Sequence, residues 1–251
     1  MKRRSKSRPN RLPEPPRPPA PARPSRVARV VGSPEFLLAV LALAGVLRVV
    51  HVFALRETIL FDHLQFDHLA YDQWAQEISH GNWLGTKVFF VDPLYAYFLG
   101  GLYLILGHDL MIVRLLQALI GVATCALTAI LGRRVLGSAA LGNLAALIMA
   151  MCIPGIFYEA AIEKTGLALF LFTLALAFFL DERPFAVLFS GLVFGLAVLA
   201  RGNYLLLLPA GGLAMRPRSR RLDQVVETTG DEACGPVRRR SYRHHQHGSR
   251  S

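Results

Sequence analysis

Five apolar runs of about twenty residues divide this chain: 35–55, 110–131, 138–157, 160–180 and 184–200. They limit it to folds that can exist in lipid. A hydrocarbon core about 30 Å thick is crossed by about 20 residues of α-helix. With no water inside to satisfy peptide groups, only helices or closed barrels can span it. The runs are continuously apolar and do not alternate, so they predict helices. The expected fold class is all-α: a polytopic transmembrane helix bundle, with an amphipathic surface helix in the first outer loop.

Charge follows the same division. The 251 residues are 53% hydrophobic, mean hydropathy is +0.38, and the net charge of +11 lies at the two ends. Of 28 Lys and Arg, ten fall in residues 1–29 and nine in residues 216–251. That distribution fits cytoplasmic flanks that orient a membrane protein; no nucleic-acid partner is implied. Residues 1–33 include "RLPEPPRPPAPARPSR", too rich in proline for helix, and read as a disordered basic cytoplasmic tail. No small-residue cleavage site follows, so the leader does not read as a secretory signal. Residues 34–215 form the membrane domain.

The run 93–107 is marginal as a span at 15 residues. If it crossed, Arg133 and Arg134 would face outside, against the positive-inside tendency. It is therefore expected to lie at, or re-enter, the outer surface, leaving Glu163, Lys164 and Arg201 near that side. The final run, "NYLLLLPAGGLAM", stops before it can span, and from Arg216 the composition changes abruptly. Residues 216–251 are expected to be a disordered basic tail or the product of a shifted reading frame. The three cysteines, Cys125, Cys152 and Cys234, have no disulfide or metal spacing.

After the first run comes "FDHLQFDHLAYDQWAQEISHGNW" (61–83). As a helix over 65–80, its apolar stripe runs Ala70, Tyr71, Trp74 and Ile78, beginning from Asp67. Asp72, Gln76 and Ser79 fall on the polar face. Such a helix lies on the membrane surface, with Trp74 and Tyr71 at headgroup depth. A carboxylate on the apolar side is costly unless paired or used, so Asp67 is either a helix N-cap or a functional acid. Asp62, Asp72 and Asp92 read as solvated. His63, His68 and His80 lack metal-ligand spacing; Asp62 with Asp67 gives only a weak site for a divalent metal.

A second group is "IFYEAAIEKTGLALFLF". Glu159 and Glu163 are four apart and expected to share a helix face, with Glu159 at the interface in a Glu–Lys pair. Arg201, in "LARGNYLLLLP", is an interfacial anchor or a phosphate partner. Arg48, His51 and Arg114 lie within spans, where ionisable groups are functional candidates.

The order of "DHLAYDQWAQEISHGNWLG", "VFFVDPLYAYFLGGLYLILG", "VRLLQALIGVATCALTAILGRRVLG", "IPGIFYEAAIEKTGLALFLFTLAL" and "RGNYLLLLP" resembles the N-terminal half of GT-C membrane glycosyltransferases. The nearest group is bacterial enzymes similar to dolichyl-phosphate-mannose protein mannosyltransferases, including aminoarabinose transferases. The resemblance covers residues 35–210 and implies a polyprenyl-phosphate sugar donor, a lipid, glycan or protein hydroxyl acceptor, and an outer-face site in a bacterial cell membrane. It also implies a chain about twice this length, of which this one would be an incomplete part. The family's catalytic acid maps onto Asp67, with Tyr71 four residues on; His68 stands where a Glu is common. A second acid maps onto Glu163. Lys164 and Arg201 become substrate-binding candidates. Where some relatives have Lys before the Pro of "PLYAYF", this chain has Asp92, with Lys87 nearby. Direct displacement would invert the anomeric centre. The competing reading is a non-catalytic membrane protein, either a transporter-like bundle or an inactive transferase fragment; a transporter predicts internal repeats, and the sequence has none.

Overall fold

The computed structural model of the protein describes residues 25–83 and 92–207. A short helix α1 (Arg26–Val31), capped by Ser25, precedes α2 (Pro34–Arg56). The expected disorder through residue 33 therefore ends earlier. Ser33 caps α2 by accepting from the Phe36 N–H at 3.2 Å, and Pro34 and Glu35 occupy the first turn, where both favour initiation. A 3₁₀ turn (Ile59–Phe61) leads to α3 (Phe66–Ser79), and α4 (Pro93–Leu106) follows. Then come α5 (Leu110–Leu136), α6 (Ala139–Ala150), α7 (Ile153–Ala160), α8 (Thr165–Phe179), α9 (Ala186–Ala200) and a second 3₁₀ segment (Gly202–Leu207). Among the described residues there is no strand, and the chain is an all-α membrane bundle.

Helices α2 and α5 are each long and apolar enough to cross a membrane. Asp109 caps the start of α5 through the Met111 and Ile112 N–H groups, and Gly137, left-handed at φ 64°, ends it. The expected single span over 138–157 is instead two helices, α6 and α7, bent by 56°. Pro154 sits in the first turn of α7 and cannot continue the α6 hydrogen-bond ladder. The fourth run starts later than expected, at Thr165, because residues 161–164 are not helical.

The bundle is organised around α5, which packs against α2, α6, α7 and α8, while α9 pairs with α8 and α4 with α3. Small residues allow close approach: Val40, Ala44, Cys125, Ala129, Ala146 and Ala150 form one buried cluster. A Cβ on Gly132 would lie 2.7 Å from the Gly142 Cα, so α5 and α6 meet almost backbone to backbone.

Inside this packing Arg48 of α2 meets Glu159 of α7 in a two-pronged pair, Nε to Oε2 at 2.5 Å and Nη2 to Oε1 at 3.2 Å. The side chains are 1% and 3% exposed. Glu159 is thus buried, and its partner is Arg48 instead of a lysine among the described residues; α7 ends at Ala160, so Glu159 and Glu163 share no helix face. Arg48 also donates to the Ala150 carbonyl beside the α6–α7 bend. Irregular backbone at such depth persists where protein groups satisfy it.

Helix order gives the bundle two chemically different ends. Arg133 and Arg134 sit at one, where Arg134 donates to the Ala177 carbonyl and to Asp181. Arg26, Arg29 and Arg183 share that end by connectivity and by the packing of α1 on α6. At the other end α2 and α7 finish, α5 and α8 begin, and α3 and α4 lie between.

The α3 boundaries agree with the expected helix to within a residue, but its faces do not. The buried residues are Tyr71, Asp72, Ala75 and Ile78. Asp72, expected on the solvated face, is 5% exposed and accepts from Tyr103 Oη (2.5 Å), Gln76 Nε2 (2.8 Å) and His108 Nε2 (2.8 Å). Tyr71 is fully buried against Tyr95, with ring centroids 4.9 Å apart. Trp74 is half-buried on Tyr97.

Candidate functional site

The break between α7 and α8 sets the geometry of the site. A helix leaves its last carbonyls without partners, and in lipid no water supplies them. Here side chains do so one after another. Arg114 Nε donates to the Ala160 carbonyl (3.1 Å), Gln117 Nε2 to those of Ala161 (3.2 Å) and Glu163 (3.4 Å), and His68 Nδ1 to that of Ile162 (3.1 Å). Arg114 further donates to the Phe61 carbonyl and lies over the Phe61 ring, 4.0 Å from its centroid. Three side chains from α5 and α3 therefore hold 160–163 open and present the next side chains.

Those side chains are Glu163 and Lys164. Glu163 Oε1 accepts from the Thr165 hydroxyl at 2.8 Å. Lys164 Nζ rests 2.5 Å from Asp92 Oδ2, immediately before α4. Asp92 is therefore not the free, solvated residue that the sequence predicts. Burial disfavours the lysine charge, but the Asp92 hydrogen bond and the nearby Tyr71 and Asp92 outweigh it, and the Lys164 pKa is raised above its usual 10.5. The ammonium persists throughout the neutral range. Tyr71 is raised too, chiefly by burial with Lys164 opposing, so it stays a neutral phenol. A Cβ on Gly202 would lie 3.8 Å from Asp92 Oδ1, which brings the Arg201–Gly202 corner at the end of α9 to the same carboxylate.

Three buried polar atoms here have no hydrogen-bond partner among the described residues: Tyr71 Oη, Tyr95 Oη and Gln117 Oε1. Buried polar groups are normally satisfied. Lys164 nevertheless acts on the Tyr71 phenol and Gln117 on the Tyr95 phenol, so these groups face one another within the site.

Asp67 lies one turn before Tyr71, in the first turn of α3, and is solvent-exposed. It is not the N-cap, which is Gln65, and Phe66 before it holds φ at 51°, uncommon for an aromatic residue. The structure thus groups Tyr71, Asp92, Glu163 and Lys164, gives His68 a supporting role, and places Asp67 and Arg201 at the margin. Lys87 lies outside the described residues. Among them no three His, Cys, Asp or Glu side chains converge as a metal site. Gln117 escaped the sequence reading, which took Asp92 as solvated and not as the partner of Lys164. For Gln117 the visible signal was a second polar residue three positions after Arg114, inside an apolar run.

Helical spans interrupted by a gap whose charged residues collect at one end define a polytopic membrane protein with a built polar site. The chain belongs to the dolichyl-phosphate-mannose-protein mannosyltransferase family, whose model matches residues 91–224. The match includes Asp92, Glu163, Lys164 and Arg201; Asp67, His68, Tyr71 and Lys87 precede it. No curated protein and no solved structure matches the chain.

Proposed function

We propose that the protein transfers a sugar from a polyprenyl-phosphate donor to a hydroxyl group of a lipid, glycan or protein acceptor, at the end of the bundle that carries α3. The observation that supports this reading is the Lys164–Asp92 pair beside Glu163, within the stretch matched by a mannosyltransferase family. In the reaction the acceptor oxygen attacks the anomeric carbon and the carbon–phosphate oxygen bond breaks. The acceptor proton passes to a carboxylate, and polyprenyl phosphate leaves with the bonding electron pair. One displacement inverts the anomeric centre.

Asp67 is the proposed base: exposed on the first turn of α3, it is free to meet an acceptor arriving from solution. Glu163 binds sugar hydroxyls with Tyr71. Lys164 steadies the leaving phosphate together with Arg201, Lys87 is a further candidate for that role, and His68 positions the segment through Ile162. Five arginines at the opposite bundle end favour a cytoplasmic location there, which puts the site on the outer face of the cell membrane. The test is transfer from labelled polyprenyl-phosphate mannose in membranes carrying the protein. The reading expects a glycosylated acceptor of inverted configuration; label that stays on the lipid, or a retained anomer, contradicts it.

A further inference from the structure

Helix α1 has six residues, too few to hold together as an isolated helix in water. It is fixed from outside. Ser25 Oγ accepts from the Ala28 N–H at 3.2 Å. Asn143 of α6, wholly buried, donates to the carbonyls of Val31 (2.7 Å) and Ser33 (3.1 Å) and accepts from Arg133 Nη2 at 2.9 Å. A Cβ on Gly32 would lie 2.9 Å from the Ala28 carbonyl oxygen and 3.3 Å from the Ala140 amide nitrogen, so the corner between α1 and α2 closes onto the start of α6. Helix α1 is thereby held where α2, long and apolar enough to span, begins. That level is the boundary between hydrocarbon and headgroups.

The outward side of α1 combines two chemistries. Ala28 and Val31 are half-buried, whereas Arg26, Val27, Arg29 and Val30 are exposed. Three apart along a helix, Val27 and Val30 share one side, 71% and 64% exposed, and Arg26 and Arg29 share the neighbouring side. Neither arginine has an ion-pair partner among the described residues. Residues 1–29 carry ten Lys and Arg against one carboxylate, Glu14. Hydrocarbon all round would strand two arginines, and water all round would leave both valines wet. Apolar and cationic sides next to each other suit an anionic membrane surface. We infer that α1 is an interfacial anchor that docks this end of the bundle on an anionic leaflet. Val27 and Val30 enter the acyl boundary, and Arg26 and Arg29 donate to negatively charged headgroups. The bracket of Asn143 and Arg133 preorganises the anchor, which lies at the opposite end of the bundle from the transfer site.

The test is amide hydrogen exchange of residues 26–33 in the 251-residue chain, one chain per nanodisc. The discs contain phosphatidylcholine alone or with about a third phosphatidylglycerol. Exchange in 26–33 should slow by about fivefold or more in the anionic discs, and the difference should vanish at about 1 M salt, where the screening length falls to about 3 Å. Arg26→Gln/Arg29→Gln should remove the difference, and Val27→Ser/Val30→Ser should raise exchange in both lipids. Protection of α5 and α6 should hold in every variant, which separates loss of docking from loss of fold. Equal exchange in the two lipids overturns the inference, as does slowing that survives in the double arginine variant. Protection that appears only with two chains per disc also overturns it, and would assign the face to a second copy. None of these readings requires transfer activity, so they stand whether or not the chain is a transferase.

Discussion

Lys164 and Asp92, 72 positions apart in sequence, meet at 2.5 Å and tie the α7–α8 gap to the start of α4. The pair sets the protonation of the site. A lysine whose folded pKa is raised contributes stability below its ordinary value of 10.5, and loses that contribution as pH rises through the folded value. In Asp92→Asn, burial acts against the ammonium with less opposition and the pKa falls. The alkaline limb of the transfer pH profile should therefore move to lower pH, whereas an unmoved limb would mean that the Lys164 charge is not used.

Asp72 provides a stability test distinct from chemistry. Three donors meet its buried carboxylate. Asp72→Asn turns one acceptor oxygen into a donor facing other donors, and should destabilise by about 1–3 kcal/mol. Thermal unfolding in detergent measures this, while transfer per folded molecule should remain near wild type.

The Arg48–Glu159 pair should behave as a buried ion pair does. Glu159→Gln leaves a buried guanidinium without its counter-charge and should cost about 3–5 kcal/mol. The double variant Arg48→Met/Glu159→Leu should recover most of that loss. Gly121→Leu should resemble the single variant, because any side chain there overlaps both partners. Unfolding midpoints of the three variants check the ordering.

Much of this architecture was legible because the dominant signal, apolar run length, is local. The limits of α2, the start of α5 and the whole of α3 follow from caps and periodicity written in neighbouring residues. The α6–α7 bend was foreshadowed only by Pro154 inside an apolar run, and the gap at 161–164 not at all. Its carbonyls are satisfied by Arg114, Gln117 and His68, more than forty positions away, so no window of sequence contains the reason for it. Asp72 failed for the same reason. Helical periodicity assigns a carboxylate to the polar face, and the partners that let it be buried, Tyr103 and His108, come after α3. The candidate site was legible as residue types, but not as the pairing of Lys164 with Asp92.

Gln117 is expected to act as a positioning residue. Gln117→Leu frees the Ala161 and Glu163 carbonyls, so amide exchange should rise in 161–165 and kcat should fall while the spans stay protected. Unchanged exchange there would show that the gap is held by Arg114 and His68 alone.

The central claim is that a carboxylate on the first turn of α3 takes the acceptor proton. The most direct measurement is the transfer rate of Asp67→Asn beside Asp67→Glu, with a polyprenyl-phosphate sugar and saturating acceptor. Asn keeps the size and polarity of the side chain and removes its basicity, so the rate should fall by about 10²–10⁴. Glu restores the base on a longer arm and should recover a measurable part of that loss, with donor binding alike in both. Transfer by Asp67→Asn at the wild-type rate would contradict the account, leaving Asp67 as an acidic residue at a helix N-terminus and the reaction without its base.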